Sequence, residues 1–287
     1  YLIKVISSKV EINRFYNTGS EYEIVNDLIN LSKPDKSVPT IFIWPEGMLT
    51  STNLKNIHYY KDLFQLNFSN KHIIILGIND IEKNNNLKIY NSLVVVDNNL
   101  NVLNYYHKNN LVPFGEFLPM ENFLKKIGLK TITNNYQSFS KGKERKIISI
   151  KNKNFDLSFL PLICYEIIYS GNLKKKNNFD IIINISEDGW FGNSIGPHQH
   201  FAHSIFRAVE EGRNIIRSTN NGISAFIGPK GNIISKTEST ESGVLEIRNL
   251  KNSEETFFSK NGNNIFFYFL LFYITLIFFL KINREIK

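Results

Sequence analysis

Three residues that together suffice for acyl transfer stand where apolar, β-forming runs of this 287-residue chain come to an end. The run from Phe155 to Ile163 reads as a largely buried strand, and Cys164, the only cysteine, follows it. Thr40-Ile41-Phe42-Ile43-Trp44 is β-rich and stops at Pro45, which has no N–H to give to a ladder, so Glu46 lies just past its end. A third run, Val102 to Tyr106, leads into His107 and Lys108. In layered α/β folds the side chains at strand ends face a cleft built by the loops, where a reactive group is both held and reached.

A thiol with a pKa near ~8.5 is only slightly ionised at neutral pH, so its attack on a carbonyl needs a base nearby. Glu46 is of the type to take that proton. The tetrahedral intermediate then carries an oxyanion, for which Lys108 and the backbone N–H after Cys164 are suitable donors. Such a set needs neither metal nor organic cofactor. Singly, each residue has a plainer reading: a buried small hydrophobe for Cys164, a turn residue for Glu46, a solvated surface group for Lys108. Recurrence at three strand ends is what favours the joint reading.

The elements that must position these residues alternate between strand and helix, which predicts an α/β fold with one main domain. Leu2 to Ile6 reads as a strand. Apolar residues at Ile24, Val25, Leu28, Ile29 and Leu31 predict a helix over Glu21–Leu31, stopped by Pro34. A second helix is predicted over Lys55–Phe68 and a strand over Lys71–Gly77. Beyond a polar turn at Asn84-Asn85-Asn86, Tyr90–Val96 and Val102–Tyr106 form a hairpin about Asn98-Asn99. Further on come a strand over Phe179–Ile185, a helix over Phe201–Glu211 with Arg207 and Glu211 four apart, and strands over Asn214–Asn220 and Ile223–Ile227. His198, His200 and His203 raise a metal site, but zinc usually recruits a further ligand type and histidines at a helix start are commonly structural, so no metal is assigned. Pro113–Ile127 mixes aromatic and aliphatic residues with Lys125 and Lys126; it fits a lid, a membrane-skimming segment, or packing on the domain's own core.

The formal charge of +8 comes from scattered lysines whose longest run is Lys174-Lys175-Lys176, with no nucleic-acid motif beside it. It argues against a nucleic-acid partner and for a mild affinity for anionic membrane surfaces. One cysteine excludes an internal disulfide. From Ile265 to Leu280 the chain carries no charge; sixteen residues at ~1.5 Å each cover ~24 Å, and interfacial flanks extend this toward the ~30 Å hydrocarbon core. A transmembrane helix is predicted. Lys281, Arg284 and Lys287 follow it, which by the positive-inside rule puts that tail in the cytoplasm and the rest of the chain outside. The sequence opens at Tyr1 with no signal peptide, so an exported domain implies a longer membrane protein of which this is the C-terminal part.

Trp44-Pro45-Glu46, Lys108 and Cys164-Tyr165-Glu166 resemble the Glu-Lys-Cys triad of the nitrilase superfamily. Within it, His107 to Pro119, Ile163 to Ile167, Asp188 to Pro197 and Arg217 to Ile223 resemble the apolipoprotein N-acyltransferase family. The resemblance implies a nitrilase-like αββα sandwich over residues 1–256, followed by a C-terminal transmembrane helix and basic tail over 257–287. It also implies a place at the bacterial inner membrane with the catalytic domain on the periplasmic side. Implied too is the reaction: an acyl chain passes from a phospholipid, chiefly phosphatidylethanolamine, through a Cys164 thioester to the α-amino group of a lipoprotein's diacylglyceryl-cysteine. By the same resemblance Glu46 is the base, Lys108 the oxyanion stabiliser and Cys164 the nucleophile, with Glu116, Tyr165 and Glu166 in support.

The sequence departs from that family in lacking several membrane helices ahead of the domain. Ser7 to Ile12 also lacks the usual glutamine and asparagine at the first strand's end, and Phe15-Tyr16 stand near a position where tryptophan is common. The triad alone is equally suited to an amidase acting on a small amide, or to a tethered binding module that has lost catalysis. The hydrophobic tail favours the acyltransferase over the first, and the intact triad favours it over the second.

Overall fold

In a computed structural model of the chain, the residues described are all but 17–19, 84–86, 121–137, 172, 174–178, 239–240, 249–253 and 286–287, with side chains left aside for 283–285. In chain order the elements are β1 (Leu2–Ser7), α1 (Glu21–Ser32), β2 (Thr40–Ile43), β3 (Leu49–Asn53), α2 (Lys61–Asn67), β4 (His72–Lys83), β5 (Leu87–Val96) and β6 (Val102–His107). There follow β7 (Ile148–Lys151), β8 (Asp156–Ile163), β9 (Ile181–Glu187), α3 (Gly196–Glu211), β10 (Asn214–Asn220), β11 (Ala225–Ile227), β12 (Ile233–Lys236), β13 (Gly243–Ile247), α4 (Phe257–Asn261) and α5 (Asn264–Glu285). One sheet has the order β13-β1-β2-β4-β5-β6, with β3 added against β4; the other runs β12-β11-β10-β9-β8-β7.

Side-chain alternation turns these two sheets into four layers. Ile41, Ile43, Ile73, Ile75, Leu93 and Val95 of the first sheet meet Phe159, Ile163, Ile181, Ile183 and Ile216 of the second in a dry central core. The intervening residues Phe42, Trp44, Ile74 and Leu76 turn outward onto Val25, Leu28 and Ile29 of α1 and Phe64 of α2. On the far side Leu160, Leu162, Ile182 and Ile215 pack on Phe201 and Ala208 of α3. Strands buried on both faces read as unbroken apolar runs, which is why β2, β8 and β9 were legible. Inside β1, Lys4 is buried because its Nζ donates to the carbonyls of Ser32 (3.2 Å) and Lys33 (2.9 Å), capping the C-terminal end of α1.

Topology brings the site together. β1, β2 and β4 are mutually parallel, and β6, antiparallel to β5, returns in the direction of β4. β8, β9 and β10 are likewise parallel. A parallel bridge between Ser8 and Asn220 joins the outgoing ends of β1 and β10, so Glu46, Lys108 and Cys164 leave their strands on one edge of the sandwich.

Several predicted details are corrected. The helix expected over Lys55–Phe68 is a 3-10 segment, Leu54–Tyr60, capped by Asn53, before it becomes α2. Ile57, His58, Tyr59 and Tyr60 are poor helix formers, and packing rather than propensity holds them. α3 begins at Gly196, earlier than predicted, because Pro197 fits the first turn of a helix. Arg207 pairs with Glu210 at 2.6 Å, and Glu211 Oε2 accepts from Ser259 Oγ at 2.6 Å. The apolar helix α5 has 22 residues, ~33 Å, six more than the uncharged run. Its segment Asn264–Ile282 is long and apolar enough to cross a membrane and is bare of protein contacts that would bury it. The polar turn at 84–86, the lysine run at 174–176 and the distal part of the candidate lid, 121–127, lie outside the described residues.

Candidate active site

Glu46 follows β2 with its carboxylate buried. Its Oε1 accepts from Asn91 Nδ2 (2.6 Å) and its Oε2 from the backbone N–H of Glu187 (3.0 Å), so each sheet contributes a donor. The approach is close: a Cβ on Gly77 of β4 would lie 2.8 Å from the Glu46 Cα, which is why that strand carries no side chain there. Burial raises the pKa of Glu46; Lys108 works against this and Glu116 with it.

Lys108 is 1 % exposed. Its Nζ donates to Glu116 Oε1 at 2.9 Å and lies 3.7 Å from Glu46 Oε1, so one ammonium sits between two carboxylates. Burial alone would lower its pKa, but Glu116 and Glu46 outweigh that and keep it charged. Asn91 Nδ2 also reaches Glu116 Oε1 (2.9 Å), and the Asn91 carbonyl accepts the Lys108 N–H (2.8 Å), which fixes the lysine backbone as well.

Cys164 turns sharply out of β8 with φ 48°, a left-handed conformation that costs an L-residue strain, into the 3-10 turn Cys164–Ile168. Burial raises the thiol's pKa well above its ordinary value and the Glu46 carboxylate adds to it, against the pull of Lys108. A thiol whose pKa is raised in this way can attack a carbonyl only with a base that takes the proton as the bond forms.

The supporting residues have distinct places. Glu166 Oε1 accepts from Tyr106 OH (2.6 Å), the N–H groups of Asn109 and Asn110 (3.1 and 3.0 Å) and Arg145 Nη2 (3.0 Å); Oε2 accepts from the Ile163 N–H (3.0 Å). It thus ties the loop after Lys108 to the turn of Cys164. Glu116 holds Lys108 directly and accepts the Val112 N–H on its other oxygen (2.9 Å). Tyr165 is half-buried and packs edge-on against Tyr169, with ring centroids 5.6 Å apart.

Several residues were given no role in the site from the sequence. Arg14 ion-pairs with Glu187 and donates from Nε to the Gly47 carbonyl (2.9 Å), clamping the loop of Glu46. Beneath Cys164 lies a buried polar group. Asp188 meets Arg217 Nη2 (2.8 Å) and His200 Nδ1 (2.9 Å), and His200 Nε2 is 3.3 Å from the Cys164 carbonyl oxygen. Arg217 and two hydrogen bonds hold Asp188 at a pKa of about 2 despite its burial. Burial and Arg217 push His200 down. The signal that could have found this group is a full charge inside an otherwise apolar strand, as at Arg217, since such a residue is buried only with partners. Among the described residues no group of three or more His, Cys, Asp and Glu is placed to hold a metal ion.

The first strand's unusual end is integrated into the site. Ser8 Oγ donates to Asn220 Oδ1 (2.7 Å), and Phe15 stacks obliquely on Trp190 with centroids 4.8 Å apart. Phe15 and Trp190 form one wall of a cavity of about 150 Å³ whose polar side is Glu46, Asn91 and Glu116.

Comparison with known proteins agrees with this fold. The carbon-nitrogen hydrolase family model matches residues 41–248. Apolipoprotein N-acyltransferase of Wigglesworthia glossinidia brevipalpis is 32 % identical over 98 % of this chain and 56 % of its own length; that of Rickettsia prowazekii is 35 % identical over 87 % and 51 %. The chain spans about half the length of the curated relatives it matches. In fold it is similar to a nitrilase-superfamily amidase from Nesterenkonia AN1 (TM-score 0.59, 12 % identity, 86 % of this chain and 90 % of that one). A CN-hydrolase superfamily protein from Xanthomonas campestris is similar to the same extent (TM-score 0.56, 12 %, 86 % and 90 %). A two-sheet sandwich whose strand ends gather Glu46, Lys108 and Cys164, matched across most of its length, identifies the chain as a member of the carbon-nitrogen hydrolase family.

Proposed function

We propose that the chain is the catalytic part of an apolipoprotein N-acyltransferase, with Glu46 as base, Lys108 as oxyanion stabiliser and Cys164 as nucleophile. In the first half-reaction the Cys164 sulfur attacks the ester carbonyl of a phospholipid while Glu46 takes the thiol proton. The oxyanion is met by Lys108 Nζ and the Tyr165 N–H. Collapse breaks the ester C–O bond; Glu46 returns the proton to the departing oxygen, leaving a lysophospholipid and a Cys164 thioester. In the second half-reaction the α-amino group of a diacylglyceryl-cysteine attacks the thioester carbonyl, Glu46 takes the amine proton, and the proton goes to the departing sulfur. Phosphatidylethanolamine is the donor we favour.

The observation that carries the reading is the presence in one chain of the Glu46–Lys108–Cys164 cluster and the unburied apolar helix α5. A soluble amide needs no such helix. The relatives' names support the same reading. In this scheme residues 1–256 are the catalytic unit and 257–287 the membrane anchor, and the basic tail supports a periplasmic position for the catalytic unit.

The test is to incubate membranes holding the protein with phosphatidylethanolamine and to look for a hydroxylamine-labile acyl mass on the Cys164 peptide. An adduct in the wild type that is absent in Cys164→Ala is expected. No adduct, or ammonia release from small amides in its place, overturns the proposal in favour of an amidase.

A further inference from the structure

The segment that leaves Cys164 does not end in a free loop. It lies along α3 and finishes against the base of α5. The Cys164 carbonyl faces His200 Nε2 (3.3 Å), the Ile168 carbonyl accepts from Arg207 Nη1 (3.2 Å), and Ser170 Oγ donates to Glu210 Oε1 (2.9 Å). Between His200 and Glu210 the helix rises ~15 Å, so the three contacts fasten the segment along most of α3.

At its far end the segment meets the chain just before Asn264, where α5 begins. Asn263 Nδ2 donates to the Ser170 carbonyl at 3.2 Å. A Cβ on Gly171, whose φ is 68°, would come 2.3 Å from Asn263 Oδ1; one on Gly262, whose φ is 55°, would come 2.3 Å from the Gly171 carbonyl oxygen. Backbone rests on backbone here, and only glycine admits that approach. The same joint is fastened to α3 from the other side, by Ser259 Oγ to Glu211 Oε2 (2.6 Å) and by Thr256 Oγ1 to the Glu210 carbonyl.

We propose that this strap, residues 164–171 with α3, sets the position of Cys164 relative to the bilayer crossed by α5, so that attack on a lipid-borne acyl group, unlike attack on a dissolved one, depends on the Gly171–Gly262 joint. Ser170, Gly171, Gly262 and Asn263 are thus positioning residues. The lipid-donor half of the inference rests on the proposed function; the strap itself rests on the contacts. A nucleophile out of reach by an ångström or so loses rate steeply when its substrate is confined to a surface, whereas a dissolved substrate follows it.

The experiment reconstitutes the protein in phosphatidylethanolamine vesicles as wild type, Gly171→Val and the milder Asn263→Ala. Acyl-enzyme formation is measured from vesicle lipid and from p-nitrophenyl butyrate. In parallel, a bimane on Cys164 is quenched by phospholipids carrying a headgroup nitroxide. In Gly171→Val, lipid-dependent acylation is expected to fall about tenfold, with the soluble ester's rate unchanged and the quenching altered; Asn263→Ala shifts both in the same sense by less. Equal loss on the two donors, or unchanged quenching in both variants, overturns the strap. If the wild type takes no acyl group from lipid while the quenching still responds to Gly171→Val, the strap stands and the lipid-donor reading falls.

Discussion

The backbone N–H of Glu187 donates to Glu46 Oε2 at 3.0 Å, so the proposed base carried by one sheet is aimed by the other. Glu187 can do this only while its own buried carboxylate is satisfied. Burial raises the pKa of Glu187, and Arg14 opposes that rise. Arg14→Ala leaves the charge unpaired, and breaking a buried pair costs about 3–5 kcal/mol. Thermal unfolding should register that loss, with a slower acylation rate beside it. Arg14→Met with Glu187→Gln should recover part of the stability, because both charges are then gone.

Lys108→Ala removes the proposed side-chain donor to the oxyanion. The loss of one such donor costs about 3–4 kcal/mol of barrier, or 10²–10³ in rate. Thioester formation should slow by that factor while binding of vesicle lipid holds. Equal loss of both would contradict the oxyanion role.

Glu46 serves as base only as a carboxylate. Burial raises its pKa, so the acylation rate should decline on acidification at a pH above that of an ordinary glutamate. Asn91→Leu removes a donor to the ionised form, lifts that pKa further and should move the acid limb upward. A pH–rate profile of the two proteins checks the direction.

Asp188 has the opposite sign. Its pKa is lowered from an ordinary 3.8 to about 2, so the stability it lends is present above the higher value and lost as pH falls through the lower. The wild type should lose about 2 kcal/mol across that window. Asp188→Asn, less stable at neutral pH, should show a flatter curve in acid unfolding.

Gly77→Ala places a methyl group 2.8 Å from the Glu46 Cα. Overpacking of this kind costs about 1–3 kcal/mol. Since the clash falls on the backbone of the proposed base, acylation should drop with the melting temperature. Gly243→Ala, where the nearest atom is 3.8 Å away, is the matched control and should change neither.

The central strands were legible because a strand buried on both faces leaves an apolar run whose end is visible, and Glu46 and Cys164 stand at such ends; Lys108 follows β6, an edge strand with Val102, Leu103 and Tyr105 exposed, where β-forming residue types alone marked the end. The edge strands β3 and β12 were not legible, since LTSTN or IISK carries too little alternation to separate strand from loop, and β7, though ISIK alternates, is only four residues long. The clamps were hidden for a different reason. Arg14, Asn91, Asp188 and Arg217 act across 25 to 173 positions of sequence, and only the fold supplies the partner that makes each buried polar group tolerable.

The left-handed backbone at Cys164 sets the chain's stability against its reactivity. Glycine is the residue that takes φ 48° freely, and a side chain there costs about 1–2 kcal/mol. Cys164→Gly should therefore be inert and yet more resistant to unfolding than Cys164→Ala. A residue chosen for folding alone would not be a cysteine, and a β-branched one such as valine would fare worst of all.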